Sequence, residues 1–380
     1  MSHYVDRVSL PLSEPFVGWE EEPPGGPARP PGGAAPAEET VAQPARESFA
    51  PAPRLAPEVS VVVPTFRRPD LLARCLDALR AQDLSGGRFE IIVCDDACEP
   101  QARAQAEAAA HAAPETGPCV TYLPVRGRHG PAAARNRGWR AARGEVIAFT
   151  DDDTVPEPDW LRRGLAALRE TGADAVAGRI EMPLPPRPTD LQRDAAGLCR
   201  AEFATANAFV RRAAMQRVEG FDERYTLAWR EDSDLHFRLL EAGMQVVGAP
   251  QAVVVHPLRP MGFAAGLGMQ KKIVFDTLLY KRHPRLYRER VRAGPPWFYL
   301  AVTAALAAAC VLAAAGARLP AAAAAAIWLA LSLLFFARRL RGVSHTPRSL
   351  AELALTSLAI PPLSIFWRIV GSLRWRAGLP

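Results

Sequence analysis

Three consecutive carboxylates, Asp151-Asp152-Asp153, follow the apolar run Val146-Ile147-Ala148-Phe149-Thr150. Such crowded negative charge repels itself unless a cation or hydrogen-bond donors compensate, and a hard divalent metal is the natural partner of carboxylate oxygens. The bland alternative is a solvated acidic turn capping the helix that starts near Pro158-Asp159-Trp160-Leu161. A second acidic cluster, Glu231-Asp232-Ser233-Asp234, opens a helical stretch through Leu240 that Gly243 closes. Peptide dipoles stabilise anions at a helix amino terminus, so capping alone also explains this cluster. His256 ends the apolar run Ala252 to Val255, where an imidazole is either a core side chain or a ligand.

The segments around these residues alternate regularly. Val59-Ser60-Val61-Val62-Val63-Pro64 reads as a buried strand, and Asp70 to Leu79 carries apolar residues at helical spacing. A second strand, Phe89 to Cys94, ends in Asp95-Asp96 before an alanine-rich helix over about 100–112. A third, around Val120 to Tyr122, leads through a basic Gly/Pro loop to a helix over Ala132 to Ala142, and Glu145 to Thr150 forms a fourth. Gln245 to Val247 and Ala252 to Val255 read as two later strands. Near-continuous apolar strands alternating with helices predict an α/β fold with a mainly parallel sheet covered on both faces. Such sheets bind ligands beyond the carboxyl ends of their strands, where the acidic pairs fall.

At 380 residues, with roughly 150 per domain as a guide, the chain has room for an enzyme core and more. A hydrophobic content of 49% excludes wholesale disorder, so the 36 prolines must concentrate locally. They do so in residues 1–57, a Pro, Gly, Ala and Glu mixture predicted to be a disordered tail. Its start lacks a secretory signal, which predicts that the amino-terminal part stays in the cytoplasm. The six cysteines are scattered without paired spacing, against a zinc site or a disulfide framework. A net charge of +6 favours anionic partners without choosing among nucleic acid, nucleotide-sugar phosphates and a membrane leaflet.

Beyond residue 293 the composition changes again. Spans of about 297–315 and 320–337 are nearly uncharged and long enough to cross a ~30 Å hydrocarbon layer as a transmembrane helical hairpin. A soluble pair of alanine-rich helices is the alternative. Basic residues from Lys271 to Arg292 and from Arg338 to Arg341 flank the hairpin, which places both outer ends in the cytoplasm. The segment at about 350–372 is interrupted by Pro361-Pro362 and followed by Arg374 and Arg376, so it reads as interfacial or re-entrant. The expected units are the tail, a domain over 58–260, a basic juxtamembrane helical segment over 261–292 and a membrane region over 293–380.

Five strings taken in order resemble the inverting family 2 glycosyltransferases of GT-A fold: VSVVVPTFRRPDLLARCLDAL, EIIVCDDAC, GPAAARNRGWRAARGEVIAFTDDDTVPEPDWL, NAFVRRAAMQRVEGFDERY and REDSDLHFRLLEAGMQVVGAPQAVVVH. The resemblance implies a Rossmann-like domain, membrane-anchored in the bacterial manner, that transfers sugar from a nucleotide-diphospho-sugar to a hydroxyl of a glycan or lipid-linked acceptor. It implies that Pro64, Thr65 and Arg67 line the nucleotide pocket and that Asp96 accepts the pyrimidine N3–H, favouring a UDP- or dTDP-sugar. Arg135 would face the phosphates, Asp151-Asp152-Asp153 would be the DxD motif with Asp152 near the ribose, and Asp153 with His256 would hold Mg²⁺ or Mn²⁺. Asp232 would be the catalytic base, with Glu231 orienting it or touching the acceptor.

The same resemblance places the enzyme in the inner (cytoplasmic) membrane, acting in cell-envelope polysaccharide or glycolipid synthesis, with membrane lipids rather than nucleic acid as partners. Glu219 stands where the family often has the first glycine of a GGFD motif, and Ala97-Cys98 where it commonly has Gly-Ser. A processive synthase would carry a Q-x-x-R-W motif that Gln270-Lys271-Lys272 does not supply. An inactive scaffold would have little reason to keep Asp96, Asp153 and Asp232. A nucleotidyltransferase would leave the block from Glu231 to His256 unexplained.

Overall fold

A computed structural model describes residues 56–112 and 117–380 together with the short strand Glu47–Ser48 (β1). The tail expected over 1–57 therefore lies almost wholly outside the described residues. Val59–Thr65 (β2) is buried at every position and leads into Pro69–Arg80 (α1). Phe89–Asp95 (β3), Pro100–His111 (α2), Cys119–Pro124 (β4), Pro131–Ala141 (α3) and Val146–Thr150 (β5) follow in the predicted alternation. Proline occupies the first turns of α1, α2 and α3, where its missing N–H would have no helical partner in any case.

The second half adds Val155–Pro156 (β6), Trp160–Thr171 (α4), Ala175–Glu181 (β7) and Asp190–Ala195 (α5). Asn207–Arg211 (β8), Arg212–Arg217 (α6), Glu231–Glu241 (α7) and Val246–Val255 (β9) complete the sheet domain. The strands form one sheet in the order β1-β4-β3-β2-β5-β8-β7-β9-β6. From β4 to β5 neighbours are parallel, as predicted, but β8 pairs antiparallel with both β5 and β7, so the whole sheet is mixed. The two late strands predicted at 245–247 and 252–255 are one strand, shifted in register between Gly178 and Arg179 of its partner β7.

Two apolar layers sandwich this sheet. Leu72, Leu76, Ala106, Trp160 and Leu165 cover one face, and Ala132, Trp139, Leu235 and Leu239 cover the other. The register of β2 with β3 pairs Thr65 with Asp95, so the ends of β2, β3 and β5 open onto one edge.

Beyond the sheet lie Ala265–Met269 (α8), Val274–Arg282 (α9) and Pro284–Arg290 (α10). Trp297–Ala314 (α11) and Arg318–Arg339 (α12) form the predicted hairpin, both long and apolar enough to cross a membrane. Pro347–Trp375 (α13) corrects the prediction of a broken segment, because it runs unbroken through Pro361 and Pro362 and is itself long and apolar enough to span. An interior proline costs a helix roughly 3 kcal/mol, and packing offsets that here. A Cβ on Gly371 would lie 2.7 Å from the Thr277 hydroxyl, which measures how closely α13 lies on α9. The buried residues Thr356, Ser364 and Arg368 share one face of α13, while Leu355, Leu358, Phe366, Ile369 and Leu373 are exposed.

Candidate active site

The edge formed by β2, β3 and β5 gathers most of the residues singled out by the sequence. Asp151, Asp152 and Asp153 leave the end of β5, and Thr154 steadies their turn by donating its hydroxyl to the Asp151 carbonyl at 2.7 Å. The antiparallel pair β6 and β9 then folds His256 back over them. One ligand atom each of Asp151, Asp153 and His256 lies within 4.8 Å of the others, and all three residues are buried. Two carboxylates and an imidazole at that spacing fit a divalent cation such as Mg²⁺ or Mn²⁺. The sequence assigned Asp151 to the donor, and the fold adds it to this cluster.

Asp152, expected near the ribose, bonds within the protein itself. It is fully buried, and its oxygens accept from the Thr65 hydroxyl at 2.7 Å and from Arg68 at 3.2 Å. Its neighbours Asp151 and Asp153, also buried, instead come together with His256. Burial pushes the Asp152 carboxyl up to about 7, with Arg68 opposing and Asp153 adding to the shift. Arg68 also reaches Asp153 at 3.5 Å, and Arg259 reaches Asp153 at 3.2 Å. Neither arginine was predicted. Arg68 directly follows Arg67 in the Phe-Arg-Arg-Pro turn, which was a usable signal, whereas Arg259 had none.

Arg135, expected to face the phosphates, pairs with two carboxylates. Its guanidinium is fully buried and donates to Asp151 at 2.7 Å and to Glu231 at 3.0 Å. It thereby ties the acidic turn after β5 to the first turn of α7. Asp232 follows Glu231, keeps partial access to solvent, and accepts from the Ser233 backbone N–H at 2.6 Å. The preceding Arg230 adopts a left-handed φ of 73° and bonds Asp276 at 2.6 Å, fixing where α7 begins.

The pair at the start of α7 is electrostatically tense. Burial pushes Glu231 up to about 7, the neighbouring Asp232 adds to this, and Arg135 opposes without cancelling it. Asp232 is also raised, first by burial. A raised carboxyl holds its proton in the folded chain after the unfolded chain has released it. Stability from Glu231 is therefore full below the ordinary range near 4 and falls as pH rises towards about 7. In metal-free protein, the loss of thermal stability between pH 5 and pH 7.5 should be smaller in Glu231→Gln than in wild type. Parallel pH curves for the two proteins would exclude this.

Nearer β3, Asp96 accepts from His129 at 3.0 Å and from the Gly130 N–H at 2.8 Å. Thr65 lies beside it, receiving the Asp96 N–H on its carbonyl at 2.9 Å. Pro64 is buried in β2, and Arg67, with φ of 53°, points outward from the same rim. Cys98 and Glu219, both in positions where the family commonly has glycine or a small polar residue, take φ of 55° and 60°. The chain therefore keeps turn geometry that glycine favours.

The sequence pattern of Glycosyl transferase family 2 matches residues 60–224, and that of Glycosyl transferase family group 2 matches residues 190–337. Glycosyltransferase AglE of Haloferax volcanii is 26% identical over 243 residues, 60% of this chain and 77% of that protein. Succinoglycan biosynthesis protein ExoM of Rhizobium meliloti is 30% identical over 213 residues, 53% of this chain and 67% of that protein. Among solved structures, the mannosyltransferase PcManGT of Pyrobaculum calidifontis, in complex with GDP-Man and Mn²⁺, superposes with a TM-score of 0.52 and 24% identity. That match covers 81% of this chain and 89% of the neighbour and shows the same fold. By its motifs, its matched relatives and its fold, this chain belongs to glycosyl transferase family 2 and is a glycosyltransferase.

Proposed function

We propose that this protein moves a sugar, with inversion, from a nucleotide-diphospho-sugar to a hydroxyl of a glycan or lipid-linked acceptor at the cytoplasmic face of the inner membrane, in cell-envelope polysaccharide or glycolipid synthesis. The observation that carries the reading is the buried bridge from Asp151 through Arg135 to Glu231, which sets the acidic turn and the start of α7 at one site. Asp151, Asp153 and His256 would hold Mg²⁺ or Mn²⁺, which when bound offsets the charge of a departing diphosphate. Asp232, partly open to solvent and raised in pKa, takes the proton of the acceptor hydroxyl as that oxygen attacks the anomeric carbon. One displacement inverts the configuration. Glu231 and Arg135 position the base, and Asp152 orders the turn that presents Asp151 and Asp153.

Thr65, Pro64, Arg67 and Asp96 form the rim for the nucleoside. A base N–H reaching Asp96 replaces the contact now made by His129, which favours a UDP- or dTDP-sugar. Turnover of a panel of UDP-, dTDP- and GDP-sugars with Mn²⁺ or with EDTA identifies the base. Turnover unaffected by EDTA, or product with retained anomeric configuration by NMR, would overturn the reading. Losing a side chain that merely orients a metal ligand costs roughly 10–100-fold in metal affinity. Asp153→Ala and His256→Ala should each weaken Mn²⁺ by at least that much, read by titrating Mn²⁺ against nucleotide binding.

The domain over 58–260 carries this site, 261–292 joins it to the membrane, and α11 with α12 crosses as a hairpin whose basic outer ends stay cytoplasmic. The one-sided burial of α13 supports a helix lying in the interface, with its polar face on α9 and its apolar face towards lipid.

A further inference from the structure

A cavity of about 120 Å³ lies between α5, the segment around α8, the ends of α11 and α12 near Tyr299 and Arg339, and the face of α13 from Ser349 to Arg368. A site for one water needs roughly 10–15 Å³ by the same measure, so this space admits a larger group. Five basic side chains line it: Arg193, Lys272, Arg292, Arg339 and Arg368. Only three acidic ones do, Asp190, Asp194 and Glu352.

The acids are heavily shared. Asp190 serves both Arg193 and Arg339, each at 2.7 Å, and Glu352 accepts the Ala264 N–H at 3.0 Å. Asp276, behind the wall, faces Arg368 across 3.7 Å but is held by Arg230 at 2.6 Å, so counting that pair leaves the positive excess unchanged. Lys272, Arg339 and Arg368 are all buried, so the excess of basic over acidic side chains around the cavity is concentrated where water is scarce. The Ser364 hydroxyl, on a side chain 1% exposed, forms part of the wall and has no hydrogen-bond partner among the described residues.

Beside the charges, Met269, Ile273, Leu353 and Ile360 give the cavity an apolar side, and Tyr299 and Phe335 stand at the ends of the two hairpin helices. A free anion has no use for such a side, whereas a headgroup with its first chain carbons fits both halves. We propose that this cavity binds the phosphate of an anionic membrane lipid, with Lys272, Arg292, Arg339 and Arg368 around the charge and Ser364 donating to a phosphate oxygen. The proposal rests on the reading that α11 and α12 lie in a membrane. Its place in the fold gives it a route to the chemistry: Trp229 lines the cavity, and Asp276 contacts both Arg368 and Arg230 at the start of α7.

The full chain in detergent can be titrated with phosphatidylglycerol, phosphatidylcholine, farnesyl phosphate and inorganic phosphate under native mass spectrometry. One anionic lipid should bind per chain at least ten-fold more tightly than phosphatidylcholine. Each basic residue near an anionic headgroup contributes roughly five-fold in affinity, so Lys272→Gln with Arg292→Gln should weaken binding roughly 25-fold. Arg292→Gln alone, at a half-buried position, keeps the test decisive if the double variant fails to fold. Stronger binding of farnesyl phosphate identifies an isoprenoid phosphate, and stronger binding of phosphatidylglycerol a glycerophospholipid, and either result supports the site. Equal binding of phosphatidylcholine, unchanged binding in the variants, or displacement by equimolar inorganic phosphate overturns it. Flotation of the chain with vesicles tests the membrane reading separately, and failure to float would sink that reading.

Discussion

Replacing Asp232 with asparagine should slow sugar transfer by about 10²–10⁴-fold, the usual worth of a general base, while nucleotide affinity stays close to wild type. The amide keeps the shape of the side chain and can still accept the Ser233 N–H bond, so the start of α7 has no reason to move. What it loses is the ability to take a proton. The proposed metal and donor groups are left in place, because Asp232 belongs to α7 whereas the candidate metal cluster is built from the turn after β5 and from His256. Single-turnover transfer measured beside nucleotide binding separates the two effects. Wild-type turnover in the variant would remove Asp232 from the chemistry, and a matching collapse of nucleotide binding would mean that its role is structural.

The other large effect concerns stability. Arg135 is the fully buried link between Asp151 and Glu231, and the second carboxylate oxygen of Glu231, Oε2, is buried without a hydrogen-bond partner among the described residues. Removing one member of a buried ionic group typically costs about 3–5 kcal/mol, because the remaining charges keep their desolvation penalty and lose its compensation. Arg135→Met should therefore lower the free energy of unfolding by about that amount in denaturant titrations at pH 7.5. Adding Asp151→Asn and Glu231→Gln to the same chain should recover part of the loss, since the uncompensated carboxylates are then gone. A single variant as stable as wild type, or a triple variant less stable than the single, would show that the bridge does not hold the two elements together.

The parallel half of the sheet and its covering helices were legible because their signals are local. β-Branched runs such as Val59 to Val63 suit a strand buried on both faces, and the Pro-initiated helices begin where proline costs nothing. Strands β7 and β8 were not read from the sequence. Ala175–Glu181 includes glycine and arginine and has two exposed positions, and its pairing partners lie far away in the chain. The same holds for α13, where two prolines announce a break that packing against α9 overrides.

The sequence by itself determined the kind of chemistry, because acidic clusters, their order and their neighbours are properties of the chain that folding does not alter. It singled out Asp151, Asp153, Asp232 and His256 without knowing which side chains face one another. Only the tertiary structure decided that Asp152 turns inward to Thr65 and Arg68, that Arg135 spends its guanidinium on Asp151 and Glu231, and that Asp276 stands between Arg230 and Arg368. Charges interact across a few ångströms whatever their separation along the chain, so partners 96 residues apart, such as Arg135 and Glu231, leave no local pattern to read.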